Sequence, residues 1–391
     1  MEEAKETITF ESLHGLYGSL RLAKDYVTKE RLERLFQCPT ELILLDKEAE
    51  EVLPQPRPAE PDGQRWFPDL DASRQPYIVV DREAFESFDS TEGEEAPQAR
   101  MITPQEMVQR LKRLEAMQVA RKELIQELYR PKHPHLYRLS DDMLMPSFLQ
   151  AFATVAALQD SAESERKEAL LSILRQETAT TRLYSLVVFT PEFCQQLIEE
   201  VDHFERSGLP VMRPNSMNNY GLILDEIGFR PFFSELREKY VVPLASMLYP
   251  DCGGDSLDDH HSFIVQYEMD KDRDLDFHYD DSEVTLNLCL GKDFQGGSLY
   301  FKGLLEDEET HSEGFEYEQI PGRALLHMGR HRHGAKPIIA GERYNLIVWF
   351  RSSSYRKRIQ EEYLQQHHHH DHDGCSCSCP AEESGTEEPQ K

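Results

Sequence analysis

His278-Tyr279-Asp280 places an imidazole and a carboxylate two residues apart. On an extended strand alternate side chains share a face, so both groups can turn to one metal ion. Two imidazoles and one carboxylate on a single face of an octahedron leave three positions open. That set suits non-haem Fe(II), which needs those positions for a bidentate cosubstrate and O2. An H-x-D triplet by itself is a weak signal, because surface turns also produce it. A second imidazole has to come from elsewhere. His327, His331 and His333 lie in Leu325-Leu326-His327-Met328-Gly329-Arg330-His331-Arg332-His333-Gly334. Their odd spacing could set all three on one strand face, with Gly329 as a possible break, and two of them are expected to be solvated loop residues. Arg343, ten residues beyond His333, opens the strongly β-forming run Tyr344-Asn345-Leu346-Ile347-Val348-Trp349-Phe350. Its planar guanidinium can grip a carboxylate through two parallel hydrogen bonds.

Taken together, an H-x-D pair, a distal histidine and an arginine ten residues on resemble the 2-oxoglutarate and Fe(II)-dependent oxygenases, and within them the prolyl and lysyl hydroxylase branch. Several flanking stretches carry the same resemblance. His278 to Asn287 is similar to the lysyl hydroxylase segment that runs from the H-x-D through a strand to an Asn. Phe294-Gln295-Gly296-Gly297 resembles the family's F-x-G-G turn, and Pro321 to Leu326 its P-x-G-x-x-L turn before the distal histidine. Ile264-Val265-Gln266-Tyr267 resembles the upstream strand whose Tyr lines the cosubstrate pocket. The resemblance covers residues 183 to 351.

The resemblance implies an α+β chain whose catalytic part is a double-stranded β-helix, a jelly-roll fold. It implies that His278, Asp280 and His333 bind Fe(II), the spacing to Arg343 and the following Gly334 selecting His333 over His331. Arg343 is implied to hold the distal carboxylate of the cosubstrate 2-oxoglutarate, with Tyr267 and Asn287 as further pocket residues. The implied reaction consumes O2, gives succinate and CO2 and hydroxylates an unactivated C–H bond, with ascorbate as auxiliary reductant. Asp280 favours hydroxylation over halogenation, since halogenating relatives lack the carboxylate. The branch points to a prolyl or lysyl residue in a protein as substrate. A small-molecule 2-oxoglutarate oxygenase and a non-catalytic binding module on the same fold are the alternatives.

The elements that position these residues follow from patterning. After residue 260 short strands are expected over 263–267, 284–290, 297–302, 323–327 and 344–351, separated by Gly and Pro turns. Thr190-Pro191 opens a helix whose stripe is Phe193, Leu197, Val201 and Phe204. The polar loop Arg213 to Tyr220 is expected to cap the site. Upstream, Thr103-Pro104-Gln105-Glu106 reads as a capping box, followed by Met107, Leu111, Leu114 and Met117 at helical spacing. Further helices are expected at 143–158 and 161–176. Residues 1–50 suggest two helical stretches, and the Pro- and acid-rich residues 54–100 an irregular connector. The domains are thus 1–100 irregular, 101–180 helical, 181–355 the oxygenase unit and 356–391 a disordered tail.

Composition excludes other classes. The 391 residues carry 72 Asp+Glu against 43 Lys+Arg, a formal charge of −29, which disfavours binding to a polyanionic backbone, so no nucleic acid is expected. The start MEEAKETITF has no basic or apolar signal region, and no run of about 18 apolar residues occurs. No membrane is expected, and the location is expected to be intracellular, cytoplasmic or nuclear. Seven cysteines without framework spacing fit a reducing compartment. Three of them, Cys375, Cys377 and Cys379, follow His367–His370 in a low-complexity tail. That tail could bind soft metals but lacks the paired-ligand spacing of a structural zinc site.

Overall fold

The computed structural model describes residues 5–12, 19–56, 64–82, 103–158 and 162–368. Its centre is a large antiparallel sheet. Along its main path the order is Arg175–Thr178, Leu183–Leu186, Ala324–Met328, Val284–Gly291, Ile338–Arg351, Asp259–Glu268 and Gly221–Ile223. A second, four-stranded antiparallel sheet has the order Leu275–His278, His331–Ala335, Leu299–Leu304 and Phe315–Tyr317. Leu183, Phe263, Val265, Leu325 and Ile347 of the first sheet pack against Leu299, Phe301, Tyr317 and Ala335 of the second.

The large sheet is buried on its other face as well. Leu286, Leu288, Leu326, Leu346, Val348 and Phe350 meet the helices Pro191–Ser207, Arg230–Leu236 and Val242–Leu248. This explains why every residue of Val284–Gly291 is buried, and why these strands read as near-continuous apolar runs. The Pro191–Ser207 helix buries Phe193, Leu197, Val201 and Phe204 as its periodicity requires. Thr190 caps it through the Phe193 amide, and Gly208, at φ 70°, ends it.

The chain crosses between the sheets at Gly329-Arg330, after Ala324–Met328 and before His331–Ala335. A Cβ on Gly329 would lie 2.0 Å from the Ser282 carbonyl oxygen. The crossing therefore requires glycine, and it sets the following strand beside Leu275–His278.

The amino-terminal residues depart from the sequence reading. In place of two helices and an irregular connector, the described residues form a four-stranded sheet ordered Ser19–Ala23, Thr7–Ser12, Tyr77–Asp81, Leu42–Leu45, with one helix, Lys29–Phe36. Ile8, Phe10, Leu22, Leu32, Phe36, Leu44 and Val79 make its core. With only Ile8 and Phe10 apolar, the period-two alternation of Thr7–Ser12 (buried at every second position) was too brief to show. The capping box of the long helix Pro104–Leu128 forms as expected. Its buried face is Met117, Ala120, Arg121, Leu124 and Ile125, while Met107 and Leu111 are exposed, because only the second half of the helix meets the two cores. The expected helix at 161–176 stops at Leu171 and gives way to the strand Arg175–Thr178.

One buried ion pair ties that long helix to the segment between the Gly221–Ile223 strand and the Arg230–Leu236 helix. Arg121 donates from Nε and Nη2 to the Glu226 carboxylate at 2.8 and 2.5 Å, with both side chains almost fully buried. Removing one partner leaves an uncompensated buried charge, which costs about 3–5 kcal/mol. Arg121→Ala should therefore lose about that much stability in urea unfolding, and Arg121→Met/Glu226→Met should recover most of it. A loss below about 1 kcal/mol for the single variant would contradict the pairing.

Candidate active site

His278 and His333 are direct cross-strand partners of the antiparallel pair Leu275–His278 and His331–Ala335. Their ring centroids lie 4.3 Å apart. Asp280 follows the first strand, where its backbone N–H donates to the Gly329 carbonyl at 2.8 Å. One ligand atom from each of His278, Asp280 and His333 lies within 4.8 Å of the others. The structure thus brings together the three residues that the sequence pattern nominated.

The orientation of each group is set by a second hydrogen bond. The Nδ1 atoms of His278 and His333 each lie 2.8 Å from a backbone carbonyl, that of Asp276 and of His331 respectively. A carbonyl only accepts, so each ring carries its proton on Nδ1 and turns a bare Nε2 toward Asp280. Thr285 Oγ1 donates to Asp280 Oδ2 at 2.7 Å and is itself bonded to Ser282 Oγ. Oδ1 is then the oxygen facing His278 Nε2 at 3.5 Å and His333 Nε2 at 3.9 Å. Two Nε2 atoms and one carboxylate oxygen converging in this way fit a divalent iron ion.

Electrostatics supports the same assignment. Burial pushes His333 down to about 3 in spite of Asp280, so it is neutral near pH 7. Burial also disfavours charge on His278, but the hydrogen bond and charge of Asp280 outweigh this and leave its pKa raised. Asp280 is buried, yet His333, His278 and His327 hold its carboxyl well below the usual range. Two of the three histidines were expected to be solvated loop residues, yet His327, on the expected 323–327 strand, and His331 are both fully buried. His327 Nε2 sits 4.0 Å from Asp280 Oδ2, and the His331 ring packs on Phe301. They belong to the strands on either side of the Gly329 crossing, and strand membership buries them.

Arg343 is fully buried. Its Nη1 donates to the Gly297 carbonyl, and its guanidinium lies 4.4 Å from the Tyr267 ring centroid, on the neighbouring strand position. Nε and Nη2 have no acceptor among the described residues, and no carboxylate pairs with it there. Burial lowers its pKa, opposed by Tyr267 and Cys289. A guanidinium remains charged even so.

One cavity joins these parts. Its wall contains His278, Asp280 and His333 at one side and Arg343, Tyr267 and Asn287 at another. Asn287 Oδ1 accepts from Asn345 Nδ2 at 2.7 Å. Asn345, Ile347 and Trp349 also line the cavity, and sequence reasoning missed them. Period-two alternation from Arg343 along one strand would have identified all three. Thr285 was missed likewise. The expected cap, Arg213 to Tyr220, contributes Asn215 and Asn218 to the same wall and borders a wider mouth. Of the His367–Cys379 tail motif, residues 369–391 and the side chains of 366–368 lie outside the described residues. Among the described residues no helix is long and apolar enough to cross a membrane.

Metal affinity should depend on pH through His278, whose proton must leave before Nε2 can bind. Because its pKa is raised, Mn(II) binding should weaken about tenfold per pH unit below that pKa and level off above it. Calorimetric titration across pH 5.5 to 8.5 tests this, and pH-independent affinity would contradict it.

Residues 125–254 match the OGFOD2-like domain family. The chain is 44% identical over 254 residues to the Homo sapiens protein "2-oxoglutarate and iron-dependent oxygenase domain-containing protein 2", covering 64% of this chain and 71% of that one. It is 27% identical over 180 residues to Homo sapiens "Procollagen-lysine,2-oxoglutarate 5-dioxygenase 1", covering 43% and 24% respectively. Among solved structures, a Pseudomonas putida prolyl-4-hydroxylase aligns over 52% of this chain and 94% of its own at 17% identity, with a TM-score of 0.32. The first of these relationships is extensive on both chains, and the chain belongs to the family of 2-oxoglutarate and iron-dependent oxygenase domain-containing protein 2.

Proposed function

We propose that this chain hydroxylates an unactivated C–H bond of a prolyl or lysyl residue in a protein, using Fe(II), O2 and 2-oxoglutarate and releasing succinate and CO2. The observation that carries the reading is Arg343. A fully buried cation whose Nε and Nη2 lack an acceptor, in the wall of the cavity that holds the His278, Asp280 and His333 cluster, calls for an anionic ligand between them. A dicarboxylate that reaches Arg343 with one end and chelates a metal with the other satisfies both ends.

In this reading residues 181–355 form the oxygenase unit, and its two facing sheets are a double-stranded β-helix. His278 Nε2, Asp280 Oδ1 and His333 Nε2 hold iron, which supplies oxidative decarboxylation of the cosubstrate and the oxidising power for C–H hydroxylation. The side chains perform the positioning. Thr285 keeps Asp280 Oδ2 occupied, so one oxygen alone is presented. The Asp276 and His331 carbonyls fix both imidazole tautomers. Arg343 and Tyr267 orient the distal carboxylate, and Asn287 supports the wall through Asn345. Leu275, Leu299, Phe263 and Val265 exclude water around the reacting centre. Ascorbate serves as the reductant that keeps iron in its ferrous state.

A protein substrate is supported by the relative named as a procollagen-lysine dioxygenase and by the open mouth beside His278, bordered by Met217 and Tyr279. Peptide pools and metabolite extracts, incubated in parallel with the enzyme, separate the readings: an oxygen-atom mass gain in the metabolites alone would sink the protein-substrate assignment.

The enzymatic test is succinate formation from 2-oxoglutarate with Fe(II), ascorbate and air. His278→Ala should abolish it. Arg343→Ala should raise the KM for 2-oxoglutarate about a hundredfold, as expected for loss of a buried charge-paired contact. Gly297→Ala should act on the same parameter, because its Cβ would lie 2.3 Å from Arg343 Nη1 at a φ of +71°. No turnover together with no metal-dependent 2-oxoglutarate binding would refute the reading.

A further inference from the structure

The Arg213 to Tyr220 loop carries one polar atom that its own bonds do not explain. Asn215 Oδ1 accepts the backbone N–H groups of Met217 at 2.8 Å and Asn218 at 2.7 Å. Those bonds fix the Asn215 amide, since only its oxygen can accept them. Its Nδ2 therefore points the other way and donates to Asn218 Oδ1 at 3.0 Å. The Asn218 amide is fixed in turn: oxygen toward Asn215, nitrogen on the remaining edge. Asn218 is 1% exposed, and its Nδ2 is buried with no acceptor among the described residues. A buried donor left without a partner is costly, and it marks a place where a partner binds.

The fold directs that edge to a definite neighbourhood. The loop runs into the Gly221–Ile223 strand, which pairs with Phe263 to Val265. The Gln266 N–H donates to the Tyr220 carbonyl at 3.3 Å, which extends the pairing toward Tyr267. Asn218, Tyr267 and Arg343 line the same cavity. The Tyr267 hydroxyl registers both neighbours: burial raises its pKa, while Arg343 and the Asn218 amide act in the opposite direction. Three buried N–H-bearing atoms, Asn218 Nδ2 and Arg343 Nε and Nη2, thus share the Tyr267 hydroxyl as their one nearby acceptor among the described residues, and none makes a well-formed hydrogen bond to it. A set of donors that includes a cation matches a carboxylate, whose two oxygens accept about four hydrogen bonds.

We propose that Asn218 is a further cosubstrate-binding residue, donating from Nδ2 to the same distal carboxylate of 2-oxoglutarate that Arg343 pairs with; this rests on the oxygenase reading above. Asn215 and Asn218 also border the outer mouth. The loop that borders the mouth is thereby seated by the cosubstrate.

The test compares two ligands on the full-length chain loaded with Mn(II). 2-Oxoglutarate has the distal carboxylate; 2-oxopentanoate has the same 2-oxo acid head without it. Asn218→Asp keeps an oxygen for Asn215 Nδ2 but replaces the donor edge with an anion, and Asn218→Ala removes both. By calorimetry Asn218→Ala should weaken 2-oxoglutarate about tenfold and Asn218→Asp about a hundredfold. Neither should shift 2-oxopentanoate by more than about twofold, because the affected contact is missing from that ligand. Equal weakening of both ligands would overturn the proposal and make Asn218 a structural loop residue. Unchanged 2-oxoglutarate affinity in Asn218→Asp would overturn it too. A wild-type chain that binds Mn(II) yet neither ligand would instead refute the oxygenase reading on which the proposal stands.

Discussion

A buried cation with no carboxylate partner among the described residues is the constraint from which the rest of this molecule can be read. Arg343 is fully buried, and an arginine cannot shed its charge to escape the cost. The protein meets that cost in part. The Gly297 carbonyl takes one N–H, and the Tyr267 ring lies against the guanidinium. Gly297 has to be glycine for the guanidinium to fit against it. The remaining charge defines the polarity of the cavity and fixes which end of an asymmetric ligand points inward.

The opposite end is set by strand pairing. Register places His278 directly across from His333, and a one-residue slip would turn one ring to the other face of the small sheet. Gly329 permits the chain to change sheets immediately before His331–Ala335, and its carbonyl accepts the Asp280 amide. The crossing that makes the two-sheet architecture therefore also carries the carboxylate to the histidines. The Arg343 end cannot be moved without unpairing a strand whose other face is packed against helices.

Legibility in the sequence followed the same division. His278, Asp280, His333 and Arg343 could be nominated because their types and spacing resemble a known family's pattern, and residues 284–290 and 344–351 were visible as β-forming runs. Thr285 and Asn345 escaped notice, since a Thr or Asn in a strand gains its meaning from a cross-strand partner that spacing does not reveal. His331 looked like a loop residue because a glycine after the expected 323–327 strand suggests a break, whereas Gly329 joins two strands. The amino-terminal sheet was illegible for another reason. Its strands pair across long separations, Phe10 with Tyr77 for example, and each strand alone is too short to declare itself.

That amino-terminal unit has a physical connection to the site even though none of its residues lines the central cavity. Arg21 and Val211 exchange backbone hydrogen bonds, at 3.5 and 3.2 Å, immediately before the Arg213 to Tyr220 loop. Gly208 accepts the Ala23 amide at 2.6 Å, and a Cβ there would collide with Ala23. Met212 packs against the amino-terminal core. At the far end of the loop the Arg21 guanidinium lies 5.7 Å from the Tyr220 ring centroid. Asp272 holds the same end by accepting the Asn219 and Tyr220 amides at 2.6 and 3.2 Å. Both ends of the loop are thus fastened to Arg21 or its neighbours, leaving Asn215 to Asn218 to face the cavity. A loop pinned at both ends loses little further conformational freedom when a ligand engages its middle. The sheet at residues 5–82 accordingly contributes to the oxygenase site by restricting the loop that borders its mouth, and the buried Arg121–Glu226 pair carries the long helix behind it into the same rigid assembly.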